Sequence, residues 1–240
     1  RLLPSTCGCE LIQQTLIKYR WILRSMFSTI YFNFHYLPCS QAIKLPIILY
    51  KPKLLACKGS LEIRGKVRFG MIQLGRNMVS LYPNNGIRFE NYGNIIFNGG
   101  CHIGNDSAIS VAKTGNCFFG SNFIATTSIK IASYCSVSFG SNVLCGWNCI
   151  ITDTDFHQLV TLSGKKVKAF APITIGNDAW LGMNTVVLKN TVLPSKCVVA
   201  SNSLLNKKYD VPELSLLAGQ PAAFKKEGVY RDVRNDKINY

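Results

Sequence analysis

Ile173-Thr174-Ile175-Gly176-Asn177-Asp178-Ala179-Trp180-Leu181-Gly182 opens the stretch whose reading decides the fold, and its pattern runs on to Ser203. Ile175, Leu181, Val187, Leu193 and Val199 stand six residues apart. Four positions after each comes a small residue: Ala179, Thr185, Thr191, Cys197 and Ser203. Gly176 and Gly182 directly follow the first two aliphatics. Upstream, the same spacing recurs at Phe119, Ala125, Ile131, Val137, Val143 and Cys149, with Gly120 after Phe119 and Cys135 and Ser141 in the small slot. An earlier fragment runs Phe97, Ile103, Ile109, with Cys101, Gly104 and Ser107 in the matching places. A period of six matches neither the ~3.6-residue helix nor a hairpin sheet with turns every ~8–12 residues. It matches a solenoid whose every coil is a triangle of three short strands. The aliphatic residue turns inward, and the small one packs beside it where space is short. Gly and Asn suit the turns, where positive φ is often needed. Stacking closes the core, so each coil is stable only against its neighbours. The expected class is mainly β: a parallel β-helix over residues 60–205, of roughly seven or eight coils at ~18 residues each.

Cys149 to Ile175 is 26 residues, which is not a multiple of six. Some chain must therefore leave the lattice, and the basic run Ser163-Gly164-Lys165-Lys166-Val167-Lys168 lies between. Residues 153–171 are read as containing an extruded loop, and loops on a rigid scaffold are favoured places for function. A smaller break between Ile109 and Phe119 centres on Lys113-Thr114-Gly115 and carries no identifiable chemistry. Residues 1–59 fall outside the repeat. Glu10 to Phe34 fits an amphipathic helix with Lys18, Arg20 and Arg24 on its polar side, after which Pro38, Pro46 and Pro52 favour extended chain. Such a segment suits capping of the open end of the solenoid, which otherwise exposes strand edges and core. Peripheral association with a membrane surface is the competing reading. Residues 206–240 form a C-terminal tail carrying Lys207, Lys208, Lys225 and Lys226.

The chain sets 27 Lys and Arg against 12 Asp and Glu, a net charge of +15. That surplus favours anionic partners. No arginine-rich helix, zinc finger or aromatic RNA-binding signature accompanies it, so nucleic acid is not expected. A composition 48% hydrophobic fits a folded chain. The ten cysteines do not read as a secreted disulfide framework, because Cys101, Cys135 and Cys197 take the small slot. The expectation is a reducing cytoplasm, at the inner face of the membrane if the N-terminal segment binds lipid. No run reaches the ~18 apolar residues of a membrane span, residues 11–37 being interrupted by Lys18, Arg20, Arg24 and Asn33. No signal-peptide cleavage pattern is seen.

Three histidines are present. His35 sits in an aromatic-rich segment and reads as structural, and His102 takes an outward slot of an early coil. His157 begins the extruded loop, in Asp153-Thr154-Asp155-Phe156-His157. A loop histidine followed by Pro172-Ile173-Thr174-Ile175-Gly176 and by Trp180-Leu181-Gly182 resembles the sugar and polysaccharide O-acetyltransferases of the hexapeptide-repeat (left-handed β-helix) acyltransferase family. Ala218-Gly219-Gln220-Pro221-Ala222 resembles their A-G-x-P-A tail. The resemblance covers roughly residues 60–226.

It implies a left-handed parallel β-helix and acetyl-CoA-dependent transfer of an acetyl group to a hydroxyl of a sugar or cell-surface polysaccharide (capsule, O-antigen or a related glycan). It makes His157 the general base; an imidazole with an unperturbed pKa of ~6.5 accepts a hydroxyl proton near neutrality. Asp155 either accepts the far ring N–H and fixes the tautomer or is a solvated turn residue. The resemblance also implies a homotrimer holding coenzyme A between subunits. Trp180 would lie near the acetyl end, Gly182 and Ser201 along the pantetheine arm, and Lys207, Lys225 and Lys226 near the nucleotide phosphates. No metal is implied. Some members hold the acceptor with an upstream Asn where this chain reads Thr126-Thr127-Ser128, so acceptor recognition departs from theirs. No Rossmann-like domain with a glycine-rich loop precedes the repeat, which argues against the nucleotide-sugar N-acetyltransferases that carry one. Two other functions compete on the same fold. A noncatalytic scaffold has no need of a loop histidine. A carbonic anhydrase needs three zinc-ligating histidines, and only His102 and His157 lie in the solenoid. Covalent catalysis by Cys145 or Cys149 is disfavoured, because both follow the strand periodicity.

Overall fold

The computed structural model describes residues 25–236. A helix over residues 25–36 (α1) and the short α2 (Cys39–Ala42) precede the strands. The first turn of the coil is β1 (Ile47–Leu49), β2 (Pro52–Cys57) and β3 (Ser60–Ile63), and the second is β4 (Ile72–Arg76), β5 (Ile87–Asn91) and β6 (Asn94–Phe97). The third is β7 (Cys101–Gly104), β8 (Ser107–Val111) and β9 (Asn116–Phe119); the fourth is β10 (Phe123–Ala125), β11 (Lys130–Ser133) and β12 (Ser136–Phe139). There follow β13 (Leu144–Cys145), β14 (Ile150–Thr152) and β15 (Ile173–Ile175), then β16 (Trp180–Leu181), β17 (Val186–Leu188) and β18 (Val192–Leu193). The chain ends with β19 (Val198–Val199), β20 (Leu204–Leu205), β21 (Ser215–Gly219) and β22 (Ala222–Glu227).

Up to β20 every third strand joins the same sheet, which makes a parallel β-helix of triangular section. Sheet A runs from β1 through β19 to β21 and β22, sheet B from β2 to β20, and sheet C from β3 to β18. The seven strands of sheet B count seven coils, and β21 begins an eighth. Only β22 runs antiparallel, against β21. The core fills the prism: Phe97, Phe119 and Phe139 stack along sheet C with ring centroids 5.0 and 5.5 Å apart.

The solenoid is longer than the sequence lattice at both ends. β1 and β2 fall within residues 1–59, yet pair in parallel with β4 and β5. Ile47, Ile48 and Leu49 are all buried, so they show no alternation to read. Pro52 costs little because it opens its strand. At the other end β21 pairs with β19, carrying sheet A to Gly219. Of the helix read over Glu10 to Phe34, residues 25–34 are helical and residues 10–24 lie outside the described part.

One stretch of the lattice is out of phase. The late series is right: Ile175, Leu181, Val187, Leu193 and Val199 are all buried, as are Ala179, Thr185, Thr191, Cys197 and Ser203. But Phe119 pairs with Phe139 and Phe139 with Ile175, so Phe139, not Val137, holds the inward aliphatic slot. The series then continues through Cys145 and Ile151, which pair with Leu181 and Val187. Val137, Val143 and Cys149 occupy the slot expected to hold small residues, and Cys135 is a turn residue. Both sets are fully buried, so hydrophobicity alone does not choose between them.

The glycines that follow the inward residues do not supply positive φ. That role falls to Asn122, Asn142, Asn148, Asp178, Asn184 and Asn202, each with φ near 58°. The glycines admit the next coil instead. A Cβ on Gly104 would lie 1.9 Å from the Thr126 carbonyl oxygen, and one on Gly182 would lie 2.6 Å from the Ser201 nitrogen.

Candidate functional site

His157 stands on an excursion that leaves sheet B after Thr152 and rejoins the prism on sheet C at Ile173. It is a folded ribbon. Asp155 N–H donates to Ala169 O at 2.8 Å, Val167 N–H to Leu159 O at 2.8 Å, and Thr161 N–H to Lys165 O at 2.9 Å. Two carboxylates fix its root. Asp153 is fully buried and accepts the backbone N–H groups of Tyr134 and Cys135 at 2.7 and 2.8 Å. Asp155 is ion-paired with Lys189, whose ammonium also donates to the Lys168 carbonyl at 2.6 Å. Lys189 thus ties both strands of the ribbon to the corner beneath it.

The backbone turns sharply just before the histidine. Phe156 has φ of 59°, a conformation that costs a non-glycine residue ~1–2 kcal/mol. Two contacts hold it there: its N–H donates to Thr154 Oγ1 at 3.0 Å, and its ring meets Tyr134 edge-on at 5.3 Å between centroids. Strain held in place by its surroundings is a mark of sites where orientation matters. His157 itself is exposed and has no hydrogen-bond partner among the described residues. The Asp155 carboxylate, read from sequence either as a partner for the ring or as a turn residue, is engaged by Lys189.

A second feature lies on another edge of the prism. Thr126, Leu144, Gly146, Trp147, Trp180, Gly182, Met183 and Ser201 line a groove of about 290 Å³ where sheet A turns into sheet B. Trp180, Gly182 and Ser201 therefore come together as the sequence suggested. Trp180 is 40% exposed although it is among the largest apolar side chains on this face. Trp147 is steadied by Tyr82, with ring centroids 5.8 Å apart, and Tyr82 Oη accepts from Asn148 Nδ2 at 2.9 Å. Thr126 occupies the stretch where an acceptor-holding Asn was noted as missing. Sequence reasoning missed Leu144, Gly146, Trp147 and Met183. Their signal was present: each belongs to the sheet A strand or the turn after it, stacked beside Trp180 or Gly182.

The basic residues divide. Lys225 and Lys226 are exposed on β22, in the same sheet as Trp180. Lys207 follows β20 on the far side, where its ammonium sits 5.6 Å from the centre of the Tyr209 ring and Lys208 bridges to sheet C. The His157 ribbon springs from the B–C corner and the groove occupies the A–B corner, so one chain does not bring them to one edge.

The remaining candidates fare differently. Cys145 and Cys149 are fully buried, and Cys149 donates its thiol to Gly182 O at 3.3 Å. Burial pushes the Cys149 thiol up to about 11, so it offers almost no thiolate at neutral pH. His102 does point outward, but it is half-buried rather than fully exposed. Burial, and then the Arg76 guanidinium, hold its imidazole below the usual histidine range. Among the described residues no group of three His, Cys, Asp or Glu side chains is placed to hold a metal ion.

No protein-family model matches the chain. Individual proteins do. A protein of Mycobacterium tuberculosis named as a probable acetyltransferase is 31% identical over 124 residues, which are 50% of this chain and 40% of that protein. The WbbJ protein of Escherichia coli, whose name refers to lipopolysaccharide biosynthesis and O-acetyl transfer, is 27% identical over 150 residues, 53% of this chain and 76% of that one. Galactoside O-acetyltransferase of E. coli is 29% identical over 119 residues, 49% of this chain and 57% of the enzyme. The chain is a relative of acetyltransferases. It spans 40% of the first of these proteins and 57% of the galactoside enzyme, about half their length.

Proposed function

We propose that the protein is an O-acetyltransferase that moves an acetyl group from acetyl-CoA to a hydroxyl of a sugar or polysaccharide, acting as a homotrimer with its sites between neighbouring prisms. The observation that carries this reading is the convergence of Trp180, Gly182 and Ser201 on one open groove. Leu144, Trp147, Trp180 and Met183 give that groove apolar walls, and Gly146 and Gly182 leave backbone without side chains along it. Such a lining suits a long, flexible pantetheine arm. Left-handed winding belongs to the same reading. The relatives named for galactoside and lipopolysaccharide O-acetyl transfer support the acceptor class.

In this reading acetyl-CoA supplies the activated acyl group. The unpartnered imidazole of His157 takes the proton of the acceptor hydroxyl. The oxygen forms the ester bond as the thioester C–S bond breaks, and the proton passes to the departing sulfur. Asp155 acts through the ribbon, where its pair with Lys189 sets the direction in which His157 projects. Lys225 and Lys226 serve the nucleotide phosphates, with Lys207 turned towards the adjoining face. A cytoplasmic location follows from this co-substrate. The test is release of free coenzyme A from acetyl-CoA, with and without a panel of free, nucleotide-linked and polymeric glycans. Release stimulated by a glycan and lost in His157→Ala is expected. Release that no glycan stimulates returns the chain to the scaffold reading, and release that survives His157→Ala removes His157 from the mechanism.

A further inference from the structure

Helix α1 turns its polar face onto the first coil. That face is buried: Ser25, Thr29 and Asn33 are 2, 4 and 0% exposed. These three side chains replace the missing neighbour of β1. Ser25 Oγ accepts the Lys51 N–H at 2.9 Å and Thr29 Oγ1 accepts the Leu49 N–H at 3.0 Å. Asn33 accepts the Ile47 N–H at 3.1 Å and donates to the Ile47 carbonyl at 2.7 Å. Phe32 anchors the helix in the core against Phe89, with ring centroids 5.0 Å apart. The first coil is thus capped, and among the described residues nothing covers the opposite face of the helix. That face carries Met26, Phe27, Ile30, Tyr31 and Phe34, and Phe27 is 81% exposed. Their spacing puts all five on one side of the helix. An apolar stripe of this kind on the outermost described element marks a binding surface.

The charge along the first coil selects the occupant. From Ser25 to Leu61 the chain has four lysines (Lys44, Lys51, Lys53 and Lys58) and no acidic residue. Lys44, Lys53 and Lys58 are exposed, as are the apolar Ile43 and Leu55. A protein partner needs side chains that match this surface in detail. An anionic bilayer needs only an apolar face that lies flat and cations beside it.

We propose that the first-coil end of the prism docks on an anionic membrane surface, with Met26, Phe27, Ile30, Tyr31 and Phe34 entering the interface and Lys44, Lys53 and Lys58 facing lipid headgroups. The contact proposed is peripheral, and no helix among the described residues is long and apolar enough to cross a membrane. The capping and membrane readings of the N-terminal segment are then not rivals, since each uses a different face of α1.

The experiment is co-sedimentation of the full chain with vesicles of phosphatidylcholine, alone or with about 30% phosphatidylglycerol. The wild type is expected to pellet with the anionic vesicles and to do so severalfold less as salt rises from ~0.1 to ~0.5 M. Phe27→Ser with Phe34→Ser is expected to lower partitioning about tenfold or more, with the circular dichroism of the solenoid unchanged because both side chains are exposed. Lys44→Gln with Lys53→Gln is expected to remove most of the preference for anionic lipid. Failure of the wild type to pellet, equal pelleting with neutral vesicles, or full binding by the Phe variant overturns the proposal. So does a fall in oligomer mass in the Phe variant together with no wild-type binding, which gives the stripe to a second copy of the chain.

Discussion

At the residue scale, the geometry divides the work among side chains the sequence could only nominate. His157 is exposed, unpartnered and held by a strained Phe156, whereas His102 is half-buried on a sheet face. His157→Ala is therefore expected to lower turnover by ~10²-fold or more with coenzyme A affinity kept, and His102→Ala to leave turnover nearly unchanged. Equal mild losses in both remove His157 from the mechanism. Asp155 and Lys189 act as one unit, so Asp155→Asn and Lys189→Met are expected to lower turnover by similar factors, with the double variant no worse than either. A loss confined to Asp155→Asn assigns the carboxylate to the imidazole after all. His102 carries a different prediction. Its imidazole is held low by burial and by Arg76, while the unfolded chain takes up that proton near ~6.5. Between the folded value and ~6.5 the unfolded state binds more protons, so stability rises with pH through that window, is lost as pH falls back through it, and changes no further below the folded value. In urea midpoints measured against pH, His102→Gln should flatten this limb; an unchanged slope places its cause elsewhere.

At the scale of the element, the solenoid depends on how closely its turns stack. Gly182→Ala sets a Cβ 2.6 Å from the Ser201 nitrogen, and overpacking of this kind costs ~1–3 kcal/mol. Gly164, at the tip of the ribbon, has nothing within 4 Å of a built Cβ and only its φ of 78° to lose. Denaturant midpoints should therefore fall clearly for Gly182→Ala and little for Gly164→Ala, and the reverse order contradicts the stacking role. The late coils were legible because aliphatic and small residues keep one phase from Ile175 to Ser203. The phase slips between Ile131 and Phe139, where Tyr134 and Cys135 widen the turn and both candidate slots are buried, so burial gave no cue. Measured from the true inward residue, Ile151, the gap to Ile175 is 24 residues, a multiple of six. The ribbon was thus betrayed by its composition rather than by its length. Lys189 stayed hidden because a contact between stacked coils joins residues ~18 or more apart, with nothing local to mark it.

At the scale of the whole molecule, two surfaces are unfinished and lie on different edges. Ile124, Leu144, Trp180, Val198 and Leu216 stand in register down the outer side of sheet A, an apolar column across five strands. The ribbon exposes Phe156, Leu159, Val160, Leu162 and Phe170, with Leu162 fully extended into solvent. In the proposed homotrimer the ribbon of each prism would meet the sheet A edge of the next, a head-to-tail contact that rotation about one axis can close. Light scattering is expected to give three copies, and Leu162→Glu or Trp180→Glu to weaken that assembly. The stronger test uses activity. In such a ring His157 and Trp180 of one site come from different chains, so two inactive proteins should complement. His157→Ala and Trp180→Ala, unfolded together in equal amounts and refolded, should recover about a quarter of wild-type activity, the product of two one-half chances that each contributing chain is intact at its own edge. If both residues of a site came from one chain, every chain in the mixture would carry a damaged site and no activity would return. Recovery near a quarter therefore fixes the site between chains, and its absence after confirmed mixing overturns a site shared by His157 and Trp180 of neighbouring chains.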